Sequence, residues 1–207
     1  MKKFFDMESP FMQILSVTAD LIIVNLLTVL CSLPVVTLGA SLTAMNDALG
    51  RLVRGEEGHM AKDFFRAFAS NFRQGTALGL LFELCAALLY ADYRAAASFA
   101  PAMRPGVAAI GVILLALAFY AFALLARYEN TVGGTLKNAV RLAVGWFPRT
   151  LGMVVCAAAV WLLSLHFYRV GVPILILVGL SLPCYVNLLL LKGVFRKLEG
   201  TDNESEN

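Results

Sequence analysis

The chain predicts an all-α fold: a polytopic membrane bundle of about five transmembrane helices with amphipathic interfacial helices beside them. Three observations carry that prediction. The 207 residues are 59% hydrophobic and only 15% charged, against about 45–50% apolar and about 25% charged in ordinary soluble domains. Mean hydropathy is +0.76. The apolar residues fall into long continuous runs rich in Leu and Ala. They do not alternate, so helices are favoured over a barrel as the means of satisfying the backbone in lipid.

A bilayer core needs about 20 mostly apolar residues per helix. Five runs qualify, at residues 10–33, 76–96, 106–126, 151–170 and 172–191. The first opens on Ser9-Pro10, an N-cap residue followed by a proline suited to the first helical position. It stops at Pro34, which cannot continue a helix without losing a hydrogen bond. Pro34, Thr37 and Gly39 form a helix-break motif from which the chain turns along the interface. Acidic Asp6 and Glu8 ahead of a run this long argue against a cleaved signal peptide.

Between the runs lie amphipathic stretches. Over 40–54, Leu42, Met45, Leu49 and Leu52 recur at helical spacing, with Asp47, Arg51 and Arg54 elsewhere and Gly55 as the terminating residue. Over 59–73, Phe64, Phe68 and Phe72 recur every four residues, with Lys62, Arg66 and Arg73 on other faces. A basic helix with a Phe face suits the headgroup region, and packing of the same stripe beneath the bundle suits it equally. A third stretch, 131–145, leads through Trp146 into the fourth run much as Phe72 leads into the second. Thr76 and Thr150 are placed to cap the spans they open. Pro183 should kink the fifth span or mark a local break that a neighbouring helix supports. The polar tail 199–207 reads as disordered.

Charge placement predicts topology. Loops one and three plus the C-terminal end hold twelve of the seventeen Lys and Arg residues. The positive-inside rule then puts the N-terminus outside and the C-terminus in the cytoplasm. The four cysteines stand singly in apolar segments, and His59 and His166 are far apart without neighbouring ligands. Neither a metal site nor a cofactor site is expected. No nucleotide, zinc-hydrolase or serine-hydrolase motif occurs, so no catalytic residue is assigned and no enzyme is expected.

Ionisable and polar groups at membrane depth are costly enough to be candidates for function. Asp20 and Asn25 lie in the first run. Glu83 lies in the second, roughly 10 Å from its start. A structural carboxyl, protonated or bonded to a neighbour, is the competing reading for Glu83. The Phe64, Phe68 and Phe72 face with Arg66 and Arg73 is the candidate surface for docking a partner.

Two segments carry a resemblance. Asn25-Leu26-Leu27, Cys31 to Ala40 and Thr43-Ala44, followed by Lys62-Asp63-Phe64-Phe65, Phe68 and Asn71 to Gln74, resemble the signature of the YesL family of small bacterial membrane proteins. The resemblance implies the bacterial cytoplasmic membrane and an association with carbohydrate uptake systems of the ABC type. It implies no catalytic residues. The partners expected are the lipid bilayer and an ABC-type carbohydrate permease or a second copy of the chain; no nucleic acid is expected. The expected role is a non-enzymatic accessory or regulatory component of carbohydrate uptake. The alternative is a small-solute transporter or channel acting as a homo-oligomer. If a sugar pocket exists, Trp161, Phe167 and Tyr168 are the nearest aromatic candidates, and an interfacial aromatic belt accounts for them equally.

Overall fold

The computed structural model describes residues 10–56, 58–99, 101–128, 131–166 and 177–205. They form helices and connecting turns, with no strand among them. Among the described residues the helices are, in order, α1 (Pro10–Cys31), α2 (Leu38–Arg54), α3 (Met60–Ser70), α4 (Phe72–Phe99), α5 (Arg104–Arg127), α6 (Val132–Gly145), α7 (Phe147–His166) and α8 (Ser181–Ser205); residues 177–178 are also helical. Short 3₁₀ turns at Val35–Thr37 and Pro101–Met103 lead into α2 and α5.

Three segments are long and apolar enough to cross a membrane: Met12–Cys31, Phe72–Ala96 and Pro101–Arg127. Their outward faces carry residues such as Ile14 (68% exposed), Leu88 (59%) and Ile113 (59%). Hydrocarbon satisfies such a surface and water does not. A fourth candidate is the pair α6–α7, which bends by 98° at Trp146. The described residues therefore support three or four spans and do not confirm the count of five. Part of the expected fifth span, residues 172–176, lies outside them. The rest of that span is interrupted by a turn at residues 179–180, and α8 starts only at Ser181. Pro183 thus sits in the first turn of α8, where its missing N–H breaks no helical bond, and it does not kink the interior of a span. Residues from Glu199 to Ser205, read from sequence as a disordered tail, continue α8 as helix.

The helix expected at 40–54 forms, but its position differs from that of an interfacial helix. α2 is wrapped by α1, α3, α4, α5 and α8. Gly39, Ala40, Ser41, Thr43, Ala44, Met45, Ala48 and Leu49 are all buried. Small residues make this enclosure achievable. A Cβ added to Gly39 would lie 2.5 Å from Gly79 Cα, and one added to Gly79 would lie 2.6 Å from Gly39 Cα. A Cβ on Gly75 would meet Ala40 Cα at 2.9 Å. Gly75 and Gly79 form a Gly-x-x-x-Gly face on α4 that receives the α2 backbone directly, as small-residue faces do in lipid. The polar side chains of α2 are satisfied within its own helix: Ser41 Oγ donates to Thr37 O (3.0 Å) and Thr43 Oγ1 to Gly39 O (2.8 Å). Gly55, with φ of 78°, ends the helix by donating to the Arg51 and Leu52 carbonyls, the left-handed role that glycine fills without strain.

Thr150 lies one turn inside α7 and does not cap it. Its hydroxyl meets Tyr120 Oη at 3.0 Å and donates to Ala143 O at 2.9 Å, joining α5, α6 and α7 at the bend. Thr76 likewise falls inside α4, which starts at Phe72. Thr131 is the residue that caps, accepting from the Gly134 N–H at the start of α6.

Substituting Gly79 with Leu should lower unfolding stability by at least the upper end of the usual overpacking cost of about 1–3 kcal/mol, because backbone cannot move aside as a side chain can. Gly111→Leu, where a Cβ meets nothing within 4 Å, should leave the thermal midpoint unchanged. Melting curves of the two variants in one detergent compare them directly.

Candidate functional site

The residues singled out from sequence do not converge on one site. Asp20 is half-buried in α1, with no hydrogen bond or ion pair among the described residues. Glu83 is half-buried in α4, and its Oε1 is enclosed without a hydrogen-bond partner. α1 and α4 each pack on α2, and no hydrogen bond joins Asp20 to Glu83.

Asn25 has a definite task. It is fully buried, and its Oδ1 accepts from the Leu180 N–H (2.9 Å) and the Ser181 N–H (3.0 Å). Those are amides that the start of α8 leaves without a helical acceptor. A side chain 155 residues away in sequence therefore caps a helix that begins inside the bundle. From Ser181 to Lys192 the helix runs about 16 Å, and Lys192 Nζ donates to Val53 O at 2.8 Å. The break thus sits well in from the basic end of the bundle.

The Pro34, Thr37 and Gly39 motif is likewise structural in its contacts. Thr37 Oγ1 lies 2.6 Å from Cys31 O and 2.7 Å from Pro34 O, answering carbonyls freed where α1 ends. Gly39 is the contact point with α4.

The Phe stripe is graded. Phe64 is fully buried and belongs to the core, so it is closed to a partner. It stacks on Phe68 (6.3 Å, 16°), which meets Phe72 edge-on (5.5 Å). Phe68 is half-buried, while Phe72 and Arg73 are exposed. Asn71 separates α3 from α4, so the stripe spans the junction between two helices.

The most developed polar feature was not singled out as a site. The ends of α2, α3 and α5 and the first turn of α4 surround an open cleft of about 720 Å³ lined by Asp47, Arg51, Arg54, Arg66, Asn71 and Arg127, among others. A neighbouring hollow adds Lys192. Arg51 donates to Asp47 (3.1 Å), and Arg66 to Asp63 (2.6 Å). The Asp47 carboxylate, through that hydrogen bond, raises the Arg51 pKa above its ordinary value. Arg54 is bonded to Glu56 and holds the Glu56 carboxyl below its ordinary value. Four guanidinium groups around one cleft, each a planar fork of donors, suit carboxylate or phosphate groups on an incoming surface. The first loop, the third loop and the C-terminal helix thus bring their cations to one end of the bundle. Charge placement could group these segments, but the convergence of Arg51, Arg66 and Arg127 needs the α2 packing.

Of the aromatic candidates for a sugar pocket, Phe167 and Tyr168 lie outside the described residues, as does the side chain of Trp161.

The family described as "Protein of unknown function, DUF624" is matched by residues 21–93, a little over a third of the chain. That stretch holds the second half of α1, all of α2 and α3, and α4 as far as Tyr93, and so includes both sides of the Gly39–Gly79 crossing. No curated protein and no solved structure matches the chain.

Asn25→Leu removes the acceptor shared by two amides and should cost about 1–2 kcal/mol. Hydrogen exchange at Leu180 and Ser181 should accelerate, while Asn25→Asp, which keeps the acceptor, should largely preserve protection.

Proposed function

We propose that this chain is a non-enzymatic, multi-pass component of the bacterial cytoplasmic membrane, of the YesL type, that docks onto a carbohydrate uptake system. The observation that carries this reading is the arginine-lined cleft, open at one end of the bundle beside exposed Phe72 and Arg73. A cleft with this charge fits a partner that presents acidic side chains, and the exposed aromatic beside it supplies an apolar anchor. The partner class is an ABC-type permease, a choice that rests on the resemblance of the 25–44 and 62–74 segments; the family matched over 21–93 is one of unknown function. The orientation follows from charge: the basic end faces the cytoplasm, with the N-terminus outside and the C-terminus inside.

A second reading has its own observation. A helix broken within the bundle, with its free amides held by Asn25, is the kind of element that frames transport sites. On that reading the chain is a small-solute transporter or channel acting as a homo-oligomer, with Asp20 and Glu83 as its coupling groups.

Affinity purification of the tagged chain from its native membrane in mild detergent separates the two. A stoichiometric permease is the expected companion. Arg73→Glu combined with Phe72→Asp should reduce its recovery roughly tenfold, the effect of about 1.4 kcal/mol, with insertion intact because both side chains are exposed. A pure homo-oligomer whose reconstituted uptake falls in Glu83→Gln would establish the second reading instead.

A further inference from the structure

Beneath the break, α2, α5, α7, α8 and the turn before α8 line a partly open cavity of about 270 Å³. Its walls are apolar, with Met45, Phe119, Phe122 and Leu188 prominent, and two carboxamides, Asn46 and Asn187, interrupt them. Asn46 is engaged: its Nδ2 donates to Leu42 O (2.8 Å), and its Oδ1 accepts from Cys184 Sγ (3.4 Å). Asn187 is only 4% exposed, and neither Nδ2 nor Oδ1 has a hydrogen-bond partner. It shares the cavity-lining face of α8 with Pro183, Cys184 and Leu188, at helical spacings of one turn.

A buried amide left unmet is costly. Leu, with the same number and branching of side-chain heavy atoms, would carry no such cost. Some hydroxyl side chains elsewhere in the bundle turn back to a carbonyl of their own helix, as Thr28 does to Val24 O at 2.7 Å, whereas the Thr76, Thr135 and Ser181 hydroxyls, like the Asn187 amide, are buried without a partner. The Asn187 amide keeps donor and acceptor together beside the cavity. Among the described residues, no Asp, Glu, Lys, Arg or His lines this space, so a charged guest would find no counter-ion among them. The volume is just under the range of roughly 300–1,000 Å³ for drug-sized ligands, which limits the guest to a short chain.

We infer that this cavity binds a small uncharged amphiphile whose short apolar body packs among Phe119, Phe122 and Leu188. Its head presents a donor and an acceptor side by side, as a carboxamide or a protonated carboxyl does, and closes two hydrogen bonds on the Asn187 amide. This site is separate from the arginine cleft and does not depend on the docking role proposed for it.

The test is photolabelling of the full chain in lipid nanodiscs with a diazirine-bearing hexanamide, the adducts being located by mass spectrometry. Adducts are expected on peptides holding residues 115–123 and 179–191, and unlabelled hexanamide should displace them. Asn187→Leu should reduce this labelling about tenfold, since two hydrogen bonds are lost. Ala157→Leu narrows the cavity from α7, keeps Asn187, and should reduce labelling comparably; it carries the test if the first variant does not fold. Labelling that is unaffected by either folded variant, or by the competitor, overturns the inference. Adducts confined to lipid-facing residues overturn it too and leave Asn187 to a trapped water.

Discussion

The rest of the bundle depends on how closely two backbones approach. Where α2 crosses α4, Gly39 meets Gly75 and Gly79 with no room for a methyl group on either side. That contact draws α2 in among its neighbours, and its consequences radiate from there. With α2 inside, α1, α5 and α8 can pack on its other faces, and α3 closes over the same helix. In lipid there is little hydrophobic gain from bringing helices together, so dispersion contact between smooth small-residue surfaces is what holds such a crossing. A helix carrying Ser41, Thr43 and Asn46 could not otherwise be enclosed. Each of those side chains finds a carbonyl in its own helix or the turn before it, which leaves the surface that α2 offers its neighbours almost free of polar demand.

How much of this was legible in the sequence follows from what each feature depends on. Long apolar runs depend on local composition, and α1, α4 and α5 stand close to where those runs place them. The glycine end of α2 and the interruption after Pro34 were also visible locally. The enclosure of α2 was not: Leu42, Met45, Leu49 and Leu52 give an amphipathic period, and that period reads as a surface helix when its opposite face is small and weakly polar. Gly75 and Gly79 at a spacing of four, facing Gly39 and Ala40, were the signal that could have revealed it. The Phe stripe suited a docking face and packing beneath the bundle equally, and a stripe of identical residues does not show that Phe64 lies in the core and Phe72 outside it.

The polar groups divide along the same line. Asn25 stood out as a costly residue at membrane depth, and it is costly for a reason that no local window contains. Its partners, Leu180 and Ser181, come from the far end of the chain. The arginine cleft was readable only as a charge bias among loops, because its members join through the packing of α2, α3 and α5. Asn187 drew no notice at all. A single amide in a Leu-rich helix has no pattern around it, and its isolation shows only when its neighbours are in place.

The Asn25 cap has a consequence for how the chain comes to be assembled. α1 leaves the ribosome carrying an amide whose partners are encoded 155 residues later. At about 5–20 residues per second, that is a wait of roughly 8–30 s. Through that interval Asn25 must be served by water, by lipid headgroups or by the insertion machinery. α8, which brings its own exposed amides, releases that temporary partner when it arrives. α1 is thus completed by a helix made long after it, and that latch closes only once α8 has arrived.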